Sequence, residues 1–166
     1  MKRMPTGGVG TLQVTIQARP DGKTYVAFTG AIDENSDFQQ VFDRVSGDAV
    51  FNMRGVDRVN SMGVHGWVPH VKKFSAQHQL VIEDISYPLV QNANSVARLF
   101  GSAQIQSCMA PYYCAACRDN TTVSVAWDEV VPEMKPPTKQ CARCNSPLEF
   151  DELDGYFDFF RSRTEK

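Results

Sequence analysis

With 42 % hydrophobic residues, a chain of 166 residues can build one ordinary core, or a core with a small appendage. A formal net charge of −2 gives no general attraction to nucleic acid or to acidic membrane surfaces. The chain lacks the ~18 consecutive apolar residues that a membrane-spanning helix requires, and its opening MKRMPTGG puts no apolar segment behind Lys2 and Arg3, so it does not read as a secretory signal.

The first predicted element is a strand. Leu12, Val14, Ile16 and Ala18 alternate with Gln13, Thr15 and Gln17, the pattern of a sheet with one buried face. Pro20-Asp21-Gly22 reads as a turn and Thr24 to Thr29 as the returning strand, giving an antiparallel hairpin or two separate strands. After Gly30-Ala31-Ile32-Asp33, either Asn35 or Ser36 is placed to cap a helix with Phe38, Val41, Phe42 and Val45 on its apolar face, closed by Gly47. Asp33 is read as a side chain that fixes this turn, with a functional carboxylate as the alternative.

Asp48 to Met53 is the third predicted strand. A helix from Ser61 to about Ala76 follows, with Val64, Trp67, Val68, Val71 and Phe74 at helical spacing. Pro69 should kink this helix or shorten it. Leu80 to Ile85 is a fourth strand. Leu89, Ala93, Val96, Ala97 and Phe100 predict a helix that Gly101 ends, and Ile105 to Tyr113 a fifth strand. Helices alternating with strands imply an α/β fold with a mixed sheet whose later strands are parallel.

From Cys114 the texture changes. Cys114-x-x-Cys117 and Cys141-x-x-Cys144 flank a strand-like run, Asn120 to Trp127, and a loop containing Pro132, Pro136 and Pro137. A C-x-x-C turn presents two thiolates on one side of a tight knuckle, and two knuckles supply the four ligands of a tetrahedral metal. Four cysteines leave no open position for water, so the expected group is one structural zinc per chain, with Arg118 and Arg143 softening its charge. Iron is the lesser alternative for an all-cysteine cage, and a redox disulfide a further one. The order knuckle, strand, knuckle, strand resembles a zinc ribbon. Cys108, the fifth cysteine, is read as a small buried hydrophobe. Paired C-x-x-C units in a chain without a signal point to the cytoplasm.

The acidic residues Glu149, Asp151, Glu152, Asp154 and Asp158 make phosphate attraction by the ribbon improbable, so no nucleic-acid partner is expected. Tyr156, Phe157, Phe159 and Phe160 are either packed against the domain or displayed as anchors for a partner.

Three short motifs, in the right order among these elements, resemble a STAS domain, the family of bacterial anti-sigma factor antagonists and of the cytoplasmic tails of sulfate transporters. Phe28-Thr29-Gly30-Ala31-Ile32-Asp33 is similar to the family's G-x-I/L-D, and Asn60-Ser61-Met62-Gly63-Val64 to its D-S-S-G-L. Pro88 to Phe100 with Gly101 and the following strand is similar to its last helix and strand. The resemblance implies a STAS-like mixed β-sheet flanked by helices over residues 10–110, followed by a zinc-ribbon-like extension over 111–166. It also implies that the helix-start loop, with Asn60, Ser61, Met62, Gly63, His65 and Gly66, docks a protein partner such as an anti-sigma factor or a kinase-like regulator. In the antagonists the second serine of D-S-S-G is phosphorylated. Met62 stands there and accepts no phosphate, so the usual switch is missing, and Ser61 is the remaining candidate phosphosite beside its reading as a helix cap.

Catalysis is not expected. His65, His70, His78, Asp33, Asp57, Glu83 and Asp84 form no recognised catalytic spacing, and no phosphate-binding loop is present. Residues five apart on a helix, as His65 and His70 would be, point about 140° apart. The alternatives to a recognition module are a structural or scaffold subunit and a sensor of a small ligand or nucleotide.

Overall fold

A computed structural model of the protein describes residues 2–4 and 12–163. The strands are β1 (Lys2–Met4), β2 (Gln13–Ala18), β3 (Thr24–Ile32), β4 (Ala49–Val59), β5 (Leu80–Glu83), β6 (Gln104–Ile105), β7 (Ser107–Cys114), β8 (Asp119–Ala126) and β9 (Glu149–Phe150). The helices are α1 (Phe38–Asp43), α2 (Ser61–Gln77), α3 (Tyr87–Ala93) and α4 (Trp127–Val130), with a 3-10 helix at Asp158–Arg163.

The main sheet has the strand order β1-β2-β3-β4-β5-β6. β2 and β3 pair antiparallel, Val14 opposite Phe28 and Ile16 opposite Val26, which is the expected hairpin. From β3 to β6 the pairing is parallel, as helical crossovers require. Helices α1 and α2 cover one face. Val26 and Phe28 on β3 and Phe51 and Met53 on β4 are fully buried beneath them. Trp67 of α2 fills the centre, its ring 5.7 Å from both Phe28 and Phe38, and its indole N–H donates to the Leu99 carbonyl at 3.0 Å. A buried indole needs such a partner.

Several boundaries differ from the sequence reading. Helix α1 starts later, because Asp37 is its cap and accepts from the Gln40 N–H at 3.0 Å. Ser36 instead closes the preceding turn, accepting from the Asp33 N–H and donating to the Ala31 carbonyl. Helix α2 passes through Pro69 without a break, with that residue on its exposed side, where a carbonyl left without its helical donor meets water. Helix α3 stops at Ala93, and the chain then proceeds through turns with Arg98 at φ 57° and Gly101 at φ 61°. The third strand runs to Val59 rather than Met53, because its second half continues along β3.

The expected fifth strand divides between two sheets at Gln106. Its N–H donates to Ile82 of the main sheet and its carbonyl accepts from Trp127. Beyond it, β7 is the centre of a three-stranded antiparallel sheet of order β8-β7-β9. β7 still touches the main sheet, since Ile85 donates to the Ser107 carbonyl and accepts from the Met109 N–H. A single hydrophobic cluster runs from Leu12 through Cys108 and Tyr112 to Phe160. All four terminal aromatics are buried in it, with Phe160 fully so, which overturns their reading as displayed anchors. Asn94 ties this segment down, donating to the Tyr156 carbonyl and accepting from the Phe159 N–H.

Candidate metal centre and helix-start loop

The hairpin β7–β8 turns at Cys114 to Cys117, and the loop before β9 brings Cys141 and Cys144 against that turn. One sulfur from each of the four cysteines lies within 4.8 Å of all the others, an arrangement that could hold a metal ion. Cys114 Sγ is 3.5 Å from Cys144 Sγ, and Cys117 Sγ is 3.9 Å from Cys141 Sγ. Four sulfurs about 2.3 Å from a central ion stand about 3.8 Å apart in a regular tetrahedron, so the donor set fits. A disulfide needs a separation near 2.05 Å, and all the cysteines are free.

The two knuckles are alike in backbone. The residue after each second cysteine is left-handed, Arg118 at φ 54° and Asn145 at φ 61°. Asparagine adopts this conformation readily; arginine does so rarely. Each turn aims N–H groups at its first sulfur. The Cys117 N–H points to Cys114 Sγ at 3.4 Å, and the Cys144 and Arg143 N–H groups hold the Cys141 thiol below its ordinary pKa. The Ser146 hydroxyl and N–H lower the Cys144 thiol to about 6, whereas hydrogen bonds with Cys144 and Cys114 raise the Cys117 thiol to about 12. Thiols ligate as thiolates, so a metal bound here would displace their protons. Arg143 joins the knuckles by a 2.6 Å ion pair to Asp119, which is exposed and therefore contributes little stability by itself. Cys108 is fully buried on β7, away from this cage, and burial raises its thiol pKa.

The helix-start loop lies where β3 and β4 end. Asn60 is the cap of α2, accepting from the Gly63 N–H at 2.8 Å, so the capping role falls to it and not to Ser61, which is the first residue of the helix. The Asn60 amide also donates to Glu34 at 2.6 Å, a link between two loops that sequence spacing could not reveal. Ser61, Met62 and His65 are exposed, with 61 % of Met62 accessible. Gly63 is buried, and a Cβ there would overlap the Ile32 carbonyl and reach the Asp33 N–H at 2.5 Å. Gly66 is half-buried, its Cβ position 3.1 Å from the Phe38 ring. Asp33 fixes its own turn by accepting from the Asn35 N–H. Beside the loop is a depression lined by Asp33, Asp57, Arg58, Val59, Asn60 and Pro88.

Of the other titratable residues of the sequence reading, Glu83 and Asp84 come together at the Asn52 amide, which donates to them at 3.2 and 3.4 Å. His70 stacks on Phe42 and His78 packs on Phe74, with centroids 5.6 and 4.8 Å apart. Asp84 accepts from the hydroxyls of Ser107 and Ser124 at 3.0 and 2.6 Å, pinning β7 and β8 to the end of β5. Among the described residues, no helix is long and apolar enough to cross a membrane. Compared with family models, curated proteins and solved structures, the chain matches none.

Proposed function

We propose that the protein is a non-catalytic recognition module of STAS type in which a structural zinc, one per chain, stabilises the ribbon-like second sheet. The partner docks at the helix-start loop. The observation that carries this reading is the first turn of α2. Met62, Ser61 and His65 are displayed there on a backbone held rigid by the Asn60 cap and the close approach of Gly63 to Ile32. Exposed methionine suits a binding surface because its side chain adapts to the partner. With methionine in place of the usual second serine, docking is not governed by phosphorylation there, and Ser61 is the remaining hydroxyl on that turn. The partner is a protein of the anti-sigma or kinase-like class, and the setting is bacterial signalling in the cytoplasm. A closed set of four thiolates on two knuckles takes zinc or iron, and zinc is proposed as the structural ion.

The test is affinity capture from the native host with wild type and Met62→Glu. A partner retained by wild type and lost with the variant is expected; equal capture by both refutes docking at this turn. Elemental analysis should give about one zinc per chain, and four free thiols without metal would refute the centre.

A small-ligand sensor is the second reading, favoured by the depression between the strand ends and α3. Its lining carries both signs of charge, Asp33 and Asp57 with Arg58, and Asp57 and Arg58 stand 3.9 Å apart. A rise in melting temperature with a small ligand would select it.

A further inference from the structure

We infer that the docking surface is composite: it extends from the helix-start loop onto the acidic loop of the second sheet, and its occupant is a protein presenting an apolar patch rimmed by lysine and arginine. This rests on the reading of the helix-start loop as a docking site.

Three large apolar side chains are exposed among the described residues, Met62, Tyr87 and Leu153, the last 81 % accessible. A series of contacts links the segments that carry them. Met62 stands on the first turn of α2, directly after Asn60. Asn60 and Pro88 line the same depression, and Tyr87 precedes Pro88 at the start of α3. The Tyr87 hydroxyl donates to Glu152 at 2.7 Å, and Leu153 follows Glu152 on the loop after β9. Tyr87 also stacks on the buried Tyr156, so the acidic loop is held beside α3.

Charge decides what can sit on these segments. Asp33 and Asp57 line the depression with Arg58, which pairs with Asp57 at 3.9 Å; Glu34 bonds Asn60, and Asp151, Glu152 and Asp154 flank Leu153 in the chain. A surface with apolar anchors inside a strongly acidic rim repels an acidic partner and steers a basic one. Leu153, on the loop after β9 between Glu152 and Asp154, is mostly exposed in the free molecule and gains contacts when covered.

The test uses the protein that Met62→Glu fails to capture, purified and titrated against the full chain. Leu153→Asp and the double variant Asp151→Lys/Asp154→Lys are compared with wild type. Both alter exposed side chains, so an unchanged melting temperature and metal content will show that folding is intact. Each is expected to weaken binding about tenfold or more, and wild-type affinity should fall about tenfold between low and high salt. If Met62→Glu abolishes binding while the Leu153 and charge-reversal variants bind within about twofold of wild type, the composite surface is overturned and the helix-start loop stands alone. A partner with an acidic contact face overturns the charge argument. Absence of any Met62-dependent partner removes both this inference and the reading beneath it.

Discussion

Gly63 shows what one hydrogen atom in place of a methyl group decides. Glycine inside a helix costs about 1 kcal/mol relative to alanine, so an exposed helical glycine is improved by substitution. At Gly63 the added methyl would overlap the Ile32 carbonyl, which is strand backbone and cannot step aside. Gly63→Ala should therefore destabilise the protein by ~1–3 kcal/mol despite the gain in helix propensity. Gly66→Ala, which meets only the Phe38 ring, should be close to neutral, and urea denaturation of the two variants separates them. From sequence, both glycines read as a smooth docking surface; the position of β3 relative to α2 is a long-range fact that local pattern does not carry. Asn60 is a second such case. A cap at this turn was legible but was assigned to Ser61; that Asn60 makes it, and also bonds Glu34, was not legible. Asn60→Ala should cost ~1 kcal/mol through loss of the cap. The Asn60 amide holds the Glu34 carboxyl below its ordinary pKa, with the Glu34 N–H adding to the effect. A depressed carboxyl favours the folded state above its unfolded pKa, and that contribution disappears as pH falls through the folded value. In Asn60→Ala the Glu34 titration observed by NMR should move up toward the ordinary range, and this part of the acid sensitivity should vanish.

At the scale of elements, the cysteine spacing was fully legible, because the geometry of C-x-x-C is local. The left-handed residues that close each knuckle were not, since Arg118 and Asn145 stand where a glycine would have advertised the turn. The mismatch at α1 has a similar cause. Asn35, Ser36 and Asp37 are all competent caps, and only the turn made by Asp33 and Ser36 assigns the role to Asp37. The run from Ile105 to Tyr113 reads as one strand because its apolar content is continuous; the change of partner at Gln106 leaves no mark in composition. Metal removal should act on the second sheet first. Chelation is expected to lower the melting temperature, with Cys141→Ser reproducing the loss of metal and of stability. Alkylation of the chelated native chain should label exposed Cys144 first and leave fully buried Cys108 unmodified until the protein unfolds, as peptide mapping would show.

Across the whole molecule, the parallel sheet with its antiparallel entry was legible from the alternation of strands and helices. The integration of the carboxy-terminal region was not. The texture changes from Cys114, yet the core does not, because β7 touches both sheets and the last aromatics return to α3 and β7. Tyr156 donates to the Met109 carbonyl at 2.7 Å, and the rings of Phe157 and Phe160 stack with centroids 6.1 Å apart. Phe160→Ala should cost ~3–5 kcal/mol, the range for emptying a buried aromatic site. Its effect should reach both sheets: Trp67 fluorescence in a Trp127→Phe background and alkylation of Cys144 are expected to follow one shared denaturation curve, shifted together by the variant. Two separate transitions would show that the sheets unfold independently.

The route of β7 has a consequence for timing. From Ser107 to Cys114 an extended strand reaches about 24 Å at ~3.4 Å per residue. Its far end carries a thiol of the cage, while its near end exchanges hydrogen bonds with Ile85 and receives Asp84 at Ser107. Slackening the far end should raise the frequency with which the near end opens. Deuterium uptake at the Met109 amide, whose acceptor is the Ile85 carbonyl, is expected to quicken on chelation while uptake at the Phe28 amide holds steady. The cage would then act as a clamp on a distant seam of the main sheet, with its occupancy readable as a rate far from any sulfur.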